Sequence, residues 1–236
     1  GLIGPRHVGK PKSLLAAAAY IEREFSNLGY AVQRQAYEVH GGPVANLIVD
    51  RPGTRRAHEI VIIGAHYDTT PSTPGADDNA SAVALLIEVA RLFQTATVQR
   101  TLRFVAFPCE EAPHFSTFEM GSQVYARQCR LRNEQVIGMI CLEMVGFYTT
   151  EPNSQQLPPG IPRYLHWAFP KRGDFLACVG NLRSCPLVWS FRRGFRRSVR
   201  FPLFSISLPE AISEIRMSDN SSFWDQNYPA LMITDT

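Results

Sequence analysis

The chain has 236 residues, 45% of them hydrophobic, enough to bury a full core in one large domain or two small ones. Its 24 basic and 21 acidic residues leave a net charge of +3, too mild to imply nucleic acid or an anionic membrane as a partner. No stretch approaches the roughly 20 uninterrupted apolar residues that a membrane-spanning helix needs.

From Ser13 to Leu28 the pattern predicts an amphipathic helix, with Gly29 just past its end as terminator. The cationic flank of this segment, Arg6, Lys10 and Lys12, resembles a signal peptide only faintly, without a small-residue cleavage pattern behind it. That flank leans the expectation towards an exported protein. Ala31–Val39 alternates and Val44–Val49 is short and apolar, so both read as strands. Glu59–Gly64 is a β-branched run of the kind buried on both faces of a sheet. Asn79–Phe93 reads as a mostly buried helix with a narrow wet stripe at Ser81, Glu88 and Arg91. A second buried strand comes at Leu102–Phe107, then a helix at Met120–Gln128 and a third buried strand at Val136–Leu142. The Pro- and Gly-rich stretch from Pro152 to Gly173 reads as a surface excursion, and Asp174–Val179 and Ala230–Thr234 as further strands.

Strands alternating with helices predict an α/β sandwich around a largely parallel sheet, with residues 1–236 as one domain. Five cysteines, an odd number without a C-x-x-C pair, argue against a disulfide framework or a thiolate zinc site. Cys109 and Cys141 read as small buried core residues, while Cys178 and Cys185 could pair in an oxidising compartment.

In open α/β sheets, ligands bind beyond the carboxyl ends of the strands. The first buried strand leads into Ala-His66-Tyr-Asp68, the second into Pro-Cys-Glu110-Glu111 and the third into Glu143. Between the first two, Pro74-Gly-Ala-Asp77-Asp78-Asn79 opens the buried helix. A parallel sheet would bring all these groups to one edge. Several carboxylates in one cleft repel and resist joint ionisation, and a divalent cation resolves that conflict. A mixed set of histidine and carboxylate suits zinc, with manganese or cobalt as substitutes. Each piece also has a plainer reading. Asp77, Asp78 and Asn79 fit helix capping, His66 a satisfied core histidine and Glu110-Glu111 a solvated acidic pair. Asp68, two positions past His66 on an extended chain, points to the same side and could accept the second ring N–H. Glu143 is flanked by Met139–Leu142 and Met144–Phe147, where an unpaired buried carboxylate is costly.

At these residues the sequence resembles the di-zinc aminopeptidase family that also contains glutamate carboxypeptidases and glutaminyl cyclases. The matching stretches are Gly64-Ala-His-Tyr-Asp-Thr69, Pro74-Gly-Ala-Asp-Asp-Asn-Ala-Ser81, Glu110-Glu111, Met120-Gly-Ser122, Leu142-Glu-Met144 and Ser218-Asp219. The resemblance implies a three-layer α/β/α sandwich with a mixed, largely parallel sheet. It implies that His66 and Glu143 bind one zinc, that Asp78 bridges two ions and that Glu111 holds the second. Glu110 would then be the general base and Asp68 the residue that orients His66. Asp219 and Asn220 are implied near the substrate pocket, Asn220 standing where relatives commonly have histidine. Relatives bind the second zinc through a histidine downstream of the final strand, and the sequence ends at Ile233-Thr-Asp-Thr236 before it. With Asp78 and Glu111 alone, the second site is expected to be weak or empty unless residues follow Thr236.

The expected activity is a zinc metallopeptidase, an aminopeptidase acting on a peptide or small amide. Two alternatives stay open: a glutaminyl cyclase-like zinc acyltransferase, and a binding homologue without catalysis. The arginines at Arg192-Arg-Gly-Phe-Arg-Arg197, beside Trp189, Phe191, Phe195 and Phe201, read as the solvated face of a helix or loop with its aromatics inward. No nucleic-acid partner is expected.

Overall fold

A computed structural model describes residues 3–155, 166–167 and 169–235. One eight-stranded sheet runs through it in the order β1-β2-β4-β3-β5-β8-β6-β7. The strands are β1 (Gln33–Val39), β2 (Gly42–Arg51), β3 (Arg56–His66), β4 (Arg100–Phe107), β5 (Gln135–Leu142), β6 (Leu176–Asn181), β7 (Leu203–Leu208) and β8 (Ala230–Thr234). The centre, β4-β3-β5-β8, is parallel, as is the β6–β7 pair; β1–β2, β2–β4 and β6–β8 are antiparallel. The sheet is thus mixed, as expected.

Helices cover both faces. On one lie α1 (Pro11–Asn27), α2 (Ala82–Phe93) and α4 (Cys185–Ser198), which bury Leu14, Phe25, Leu86 and Val188 against the strands. On the other lie α3 (Gly121–Leu131) and α5 (Asn220–Asp225). There Phe107, Tyr125 and Phe223 form an aromatic triangle with centroids 5.8–6.4 Å apart, so strand β4 is tied to both helices of that layer. Central strands must bury both faces, and this is why Ile62, Ile63 and Ala65 of β3 are all apolar.

Several expectations need adjustment. Helix α2 proper begins at Ala82, because Ala76–Ser81 forms a π-helical turn in which Asp78 and Asn79 leave helical geometry. Ser81 does not face water with Glu88 and Arg91. Its hydroxyl donates to the Asp77 carbonyl and accepts from the Val145 amide. The segment from Leu182 to Asp225, not assigned by periodicity, contributes α4, β7 and α5. The arginines do lie on a helix, with Phe191 and Phe195 packed inward, but Trp189 and Phe201 face outward and Arg193 covers the Trp189 ring. All five cysteines are free; Cys178 is buried and Cys185 exposed. Half of the excursion between Pro152 and Gly173, residues 156–165 and 168, lies outside the described residues. Among the described residues, no helix is long and apolar enough to cross a membrane.

Candidate metal centre

Strand register builds the cleft. Residue Gly64 of β3 pairs with Cys141 of β5, and the two next positions on the same face are His66 and Glu143. On the other side of β3, His66 pairs with Phe107, the last residue of β4. The chain then turns through Pro108 and Cys109, the latter at φ 62°, and delivers Glu110 and Glu111 to the same edge. Three parallel strands therefore end together, and the residues just past each of them share one cleft.

His66 lies at its centre, with none of its surface exposed. Its Nε2 is 3.3 Å from Asp78 Oδ1, 3.3 Å from Glu143 Oε2 and 3.8 Å from Glu110 Oε2. On the far side of the ring, Nδ1 is 3.4 Å from Asp68 Oδ1. Asp68 does more than face the ring. Its two oxygens accept the backbone amides of Glu110 and Glu111, each at 3.1 Å, so one carboxylate fixes the turn that presents both glutamates.

Chain-distant donors hold Glu143. Ser218 donates its hydroxyl to Oε2 at 2.6 Å, and the Asn79 amide reaches the same oxygen at 3.4 Å. Asn79 also donates to the Leu142 carbonyl at 3.1 Å and accepts from the Met144 amide at 2.9 Å. Asp77 accepts from the Gly146 amide at 2.8 Å. The Asp-Asp-Asn triplet is therefore not a set of helix caps: two of its members tie down the chain leaving β5, and Asp78 faces His66.

Electrostatics shows how poorly the cleft tolerates its own charge. Burial alone would lower the His66 pKa, but the carboxylates of Glu143 and Glu110, with Asp68 and Asp78, outweigh it and hold the ring protonated well above its usual range. Burial pushes Glu110 well up, only partly opposed by His66. Glu111 rises to about 7 through burial and the neighbouring Asp78. Buried Asp219 also rises to about 7, against the pull of His66 and Ser122. Against its own burial, His66 keeps Asp78 below the usual range. Protons are thus held where a divalent cation would neutralise the same groups.

Whether the residues fit a cation can be read from their free atoms. Asp78 Oδ1 and Glu111 Oε1 are buried and accept no well-aligned hydrogen bond, a costly state for carboxylate oxygens. One ligand atom each from His66, Glu110 and Glu143 lie within 4.8 Å of one another, a spacing that a single ion can bridge. One imidazole with surrounding carboxylates is a donor set suited to zinc. That trio contains Glu110, whereas the sequence reading assigns Glu110 to proton transfer and Asp78, whose Oδ1 is nearer to His66 Nε2, to the metal. Glu110 faces protonated His66, whose charge alone draws a carboxylate inward.

Asp219 is fully buried within reach of the fields of His66 and Glu143, with Ser122 its hydroxyl neighbour. Asn220 follows it in the chain. It too is fully buried, and its amide donates to the Ile215 carbonyl at 2.9 Å, so it packs within the segment around α5. Three contributors carry no role in the sequence reading. Ser218 stands in a quoted motif, Asn79 hides in an apparent cap, and Arg6 looks like an exposed flank. Arg6 is instead 6% exposed and bonded to the carbonyls of Tyr67, Pro74 and Gly75. The Ser-Asp motif signals the first; no local pattern could signal the last.

Comparison with known proteins places this geometry. The chain is 37% identical over 242 residues to the uncharacterized protein YfbL of Escherichia coli, covering 99% of this chain and 72% of that one. Its fold is similar to that of BSAP, a zinc aminopeptidase from Bacillus subtilis, with a TM-score of 0.61 and 22% identity over 82% of this chain. It is similar also to a glutaminyl cyclase from an Acidobacteriales bacterium, with a TM-score of 0.68 and 18% identity, covering 98% of this chain and 74% of that one. The chain spans only 40% of the length of BSAP. Residues 46–168, which carry His66, Asp68, Asp78, Glu110, Glu111 and Glu143, match the model of peptidase family M28. The chain therefore belongs to peptidase family M28.

Proposed function

We propose that this chain carries the catalytic centre of a zinc-dependent aminopeptidase, which hydrolyses the N-terminal bond of a peptide or small amide. The observation that supports it most is the convergence of Asp78, Glu110 and Glu143 on Nε2 of His66, with unsatisfied carboxylate oxygens beside it. Its membership of a peptidase family and the likeness to a zinc aminopeptidase support the same reading.

His66 and Glu143 would hold one ion, Asp78 would bridge to a second and Glu111 would complete the protein donors there. Zinc bound at the cleft supplies Lewis acidity, lowering the pKa of water from ~15.7 towards ~7 and polarising the scissile carbonyl. Everything else falls to the side chains. Asp68, 3.4 Å from His66 Nδ1, would accept the Nδ1 proton and leave Nε2 as the ligand atom facing the carboxylates. Glu110, whose Oε2 lies 3.8 Å from His66 Nε2, would take the proton of the attacking water and pass it to the leaving amine. Asp68 keeps Glu110 in place through the backbone amide.

The test is direct. The zinc-loaded protein is incubated with aminoacyl-nitroanilides and with peptides bearing N-terminal leucine or N-terminal glutamine. Release of the first residue, abolished by a chelator and by Glu110→Gln, is the expected result. Ring closure of N-terminal glutamine without hydrolysis would move the protein to the acyltransferases. Failure to take up zinc at all would leave a binding homologue.

A further inference from the structure

We propose that Arg6 is a positioning residue for the metal centre: its guanidinium pins the loop between His66 and Asp78 so that both ends of the loop present their ligand atoms to one cation. The inference rests on the reading of the cleft as a metal centre.

The loop leaves β3 at His66 and returns at Asp78, with no regular structure before Ala76. Such a segment has no ladder of its own to hold its ends in register. Arg6 supplies the missing bonds from inside. Its Nε donates to the Tyr67 carbonyl at 2.6 Å, Nη1 to Pro74 at 3.0 Å and Nη2 to Gly75 at 2.9 Å. Its backbone pairs with Thr69 in both directions, the amide donating to Oγ1 at 3.0 Å and the carbonyl accepting from the Thr69 amide at 2.9 Å. One carbonyl thus comes from the residue after His66 and another from three residues before Asp78. Among the described residues Arg6 forms no ion pair within 4 Å, so its donors are spent on backbone carbonyls.

Gly75 shows how tightly the loop closes on this group. It sits at φ +61°, and a Cβ there would lie 2.1 Å from Thr69 Cγ2, 2.5 Å from the Asp78 carbonyl oxygen and 3.1 Å from Arg6 Nη1. Each of the three carbonyls is met by a different nitrogen of one rigid plane; an ammonium has three donors too, but all on a single nitrogen at the end of a flexible stem, so it cannot reproduce that spread.

Two effects of Arg6 on a cation oppose each other, and this makes the proposal testable. Its positive charge, felt by Asp68 and Asp78, weakens cation binding, whereas the clamp strengthens it by holding the ligands ready. Arg6→Lys keeps the charge and removes the fork. Thr69→Val keeps the guanidinium and removes the hydroxyl that anchors the Arg6 amide.

The affinity of each folded variant for zinc alone would be measured by competition with a chromophoric chelator, with the visible spectrum of bound cobalt reporting ligand geometry. Melting in chelator reports the fold separately. The expected result is about 10-fold or greater weakening of zinc binding in Arg6→Lys, a smaller loss in Thr69→Val and an altered cobalt spectrum in both. Wild-type affinity and spectrum in both variants would overturn the clamp, and so would tighter binding in Arg6→Ala beside an unchanged Arg6→Lys, because only the charge would then matter. Should Arg6→Lys not fold, Thr69→Val decides by the same readouts. A wild-type protein that takes up no zinc defeats the metal reading and the inference together. Zinc uptake indifferent to Arg6→Lys and Thr69→Val defeats the inference alone.

Discussion

Ser218 donates its hydroxyl to Glu143 Oε2 at 2.6 Å, joining the chain before α5 to the end of β5 across 75 residues of sequence. A carboxylate so held presents both oxygens to His66, whose Nε2 is 3.3 Å from Oε2 and 3.4 Å from Oε1. Partners of this kind fix the direction of a metal-binding carboxylate, and their loss typically costs 10–100-fold in affinity or activity. Ser218→Ala is therefore expected to weaken zinc binding by about 10-fold with little change in fold, as read by chelator competition and circular dichroism. Unchanged affinity would show that Asn79 alone suffices to orient Glu143.

Glu110 is the residue whose role the geometry leaves between two chemistries. As general base, Glu110→Gln should cut kcat by roughly 10²–10⁴-fold. Zinc stoichiometry should stay that of the wild type, because the amide replaces a group off the metal. A variant that loses both activity and zinc would make Glu110 a ligand, in line with its place within 4.8 Å of His66 and Glu143.

Acidity should stabilise the protein in the absence of metal. Glu111 and Asp219 are raised from 4.5 and 3.8 to about 7, so between these values the native state holds protons that the unfolded chain has released. Stability then falls as pH rises through that window. His66 acts in the same direction. Its pKa is raised in the fold, so its contribution is complete below the unfolded value of 6.5 and is lost as pH climbs through the higher native one. In chelator, the melting temperature should be higher near pH 5 than near pH 7.5. Excess zinc should reverse the order, since metal binding displaces these protons. A melting temperature that climbs with pH in chelator would contradict the clustered-proton account.

Gly75→Ala tests the loop by sterics alone. The left-handed φ of +61° and the 2.1 Å approach of a new Cβ to Thr69 leave no unstrained solution. A loss of about 1–3 kcal/mol in denaturant unfolding is expected, together with weaker zinc binding. If the variant melts and binds as the wild type does, the loop is looser than these distances require.

Much of the centre was legible before the fold was known, and the reason is local. A strand buried on both faces leaves a mark in sequence as a β-branched run, and in a parallel sheet the residues after such runs share an edge. His66, Glu110, Glu111 and Glu143 could be found that way. Asp77, Asp78 and Asn79 could not be separated from helix caps, because capping and loop anchoring call for the same short polar side chains. Between Leu182 and Asp225 the elements went unassigned: α4 is amphipathic, but its four arginines drew the reading towards a solvated face, and α5 is a six-residue helix, too short to show a period.

The sequence alone therefore determined the chemistry that is available: which strands are buried, which acids and which imidazole come after them, and the family motifs they spell. Only the tertiary structure decided how those groups are held. The hydroxyl of Ser218, the amide of Asn79, the carboxylate of Asp68 and the guanidinium of Arg6 act on residues 42 to 75 positions away, counted from Glu143, Leu142, Glu110 and Tyr67. Hydrogen bonds are short-ranged in space and indifferent to separation along the chain. A pattern read within a window of sequence sees the candidate ligands and misses the groups that hold them.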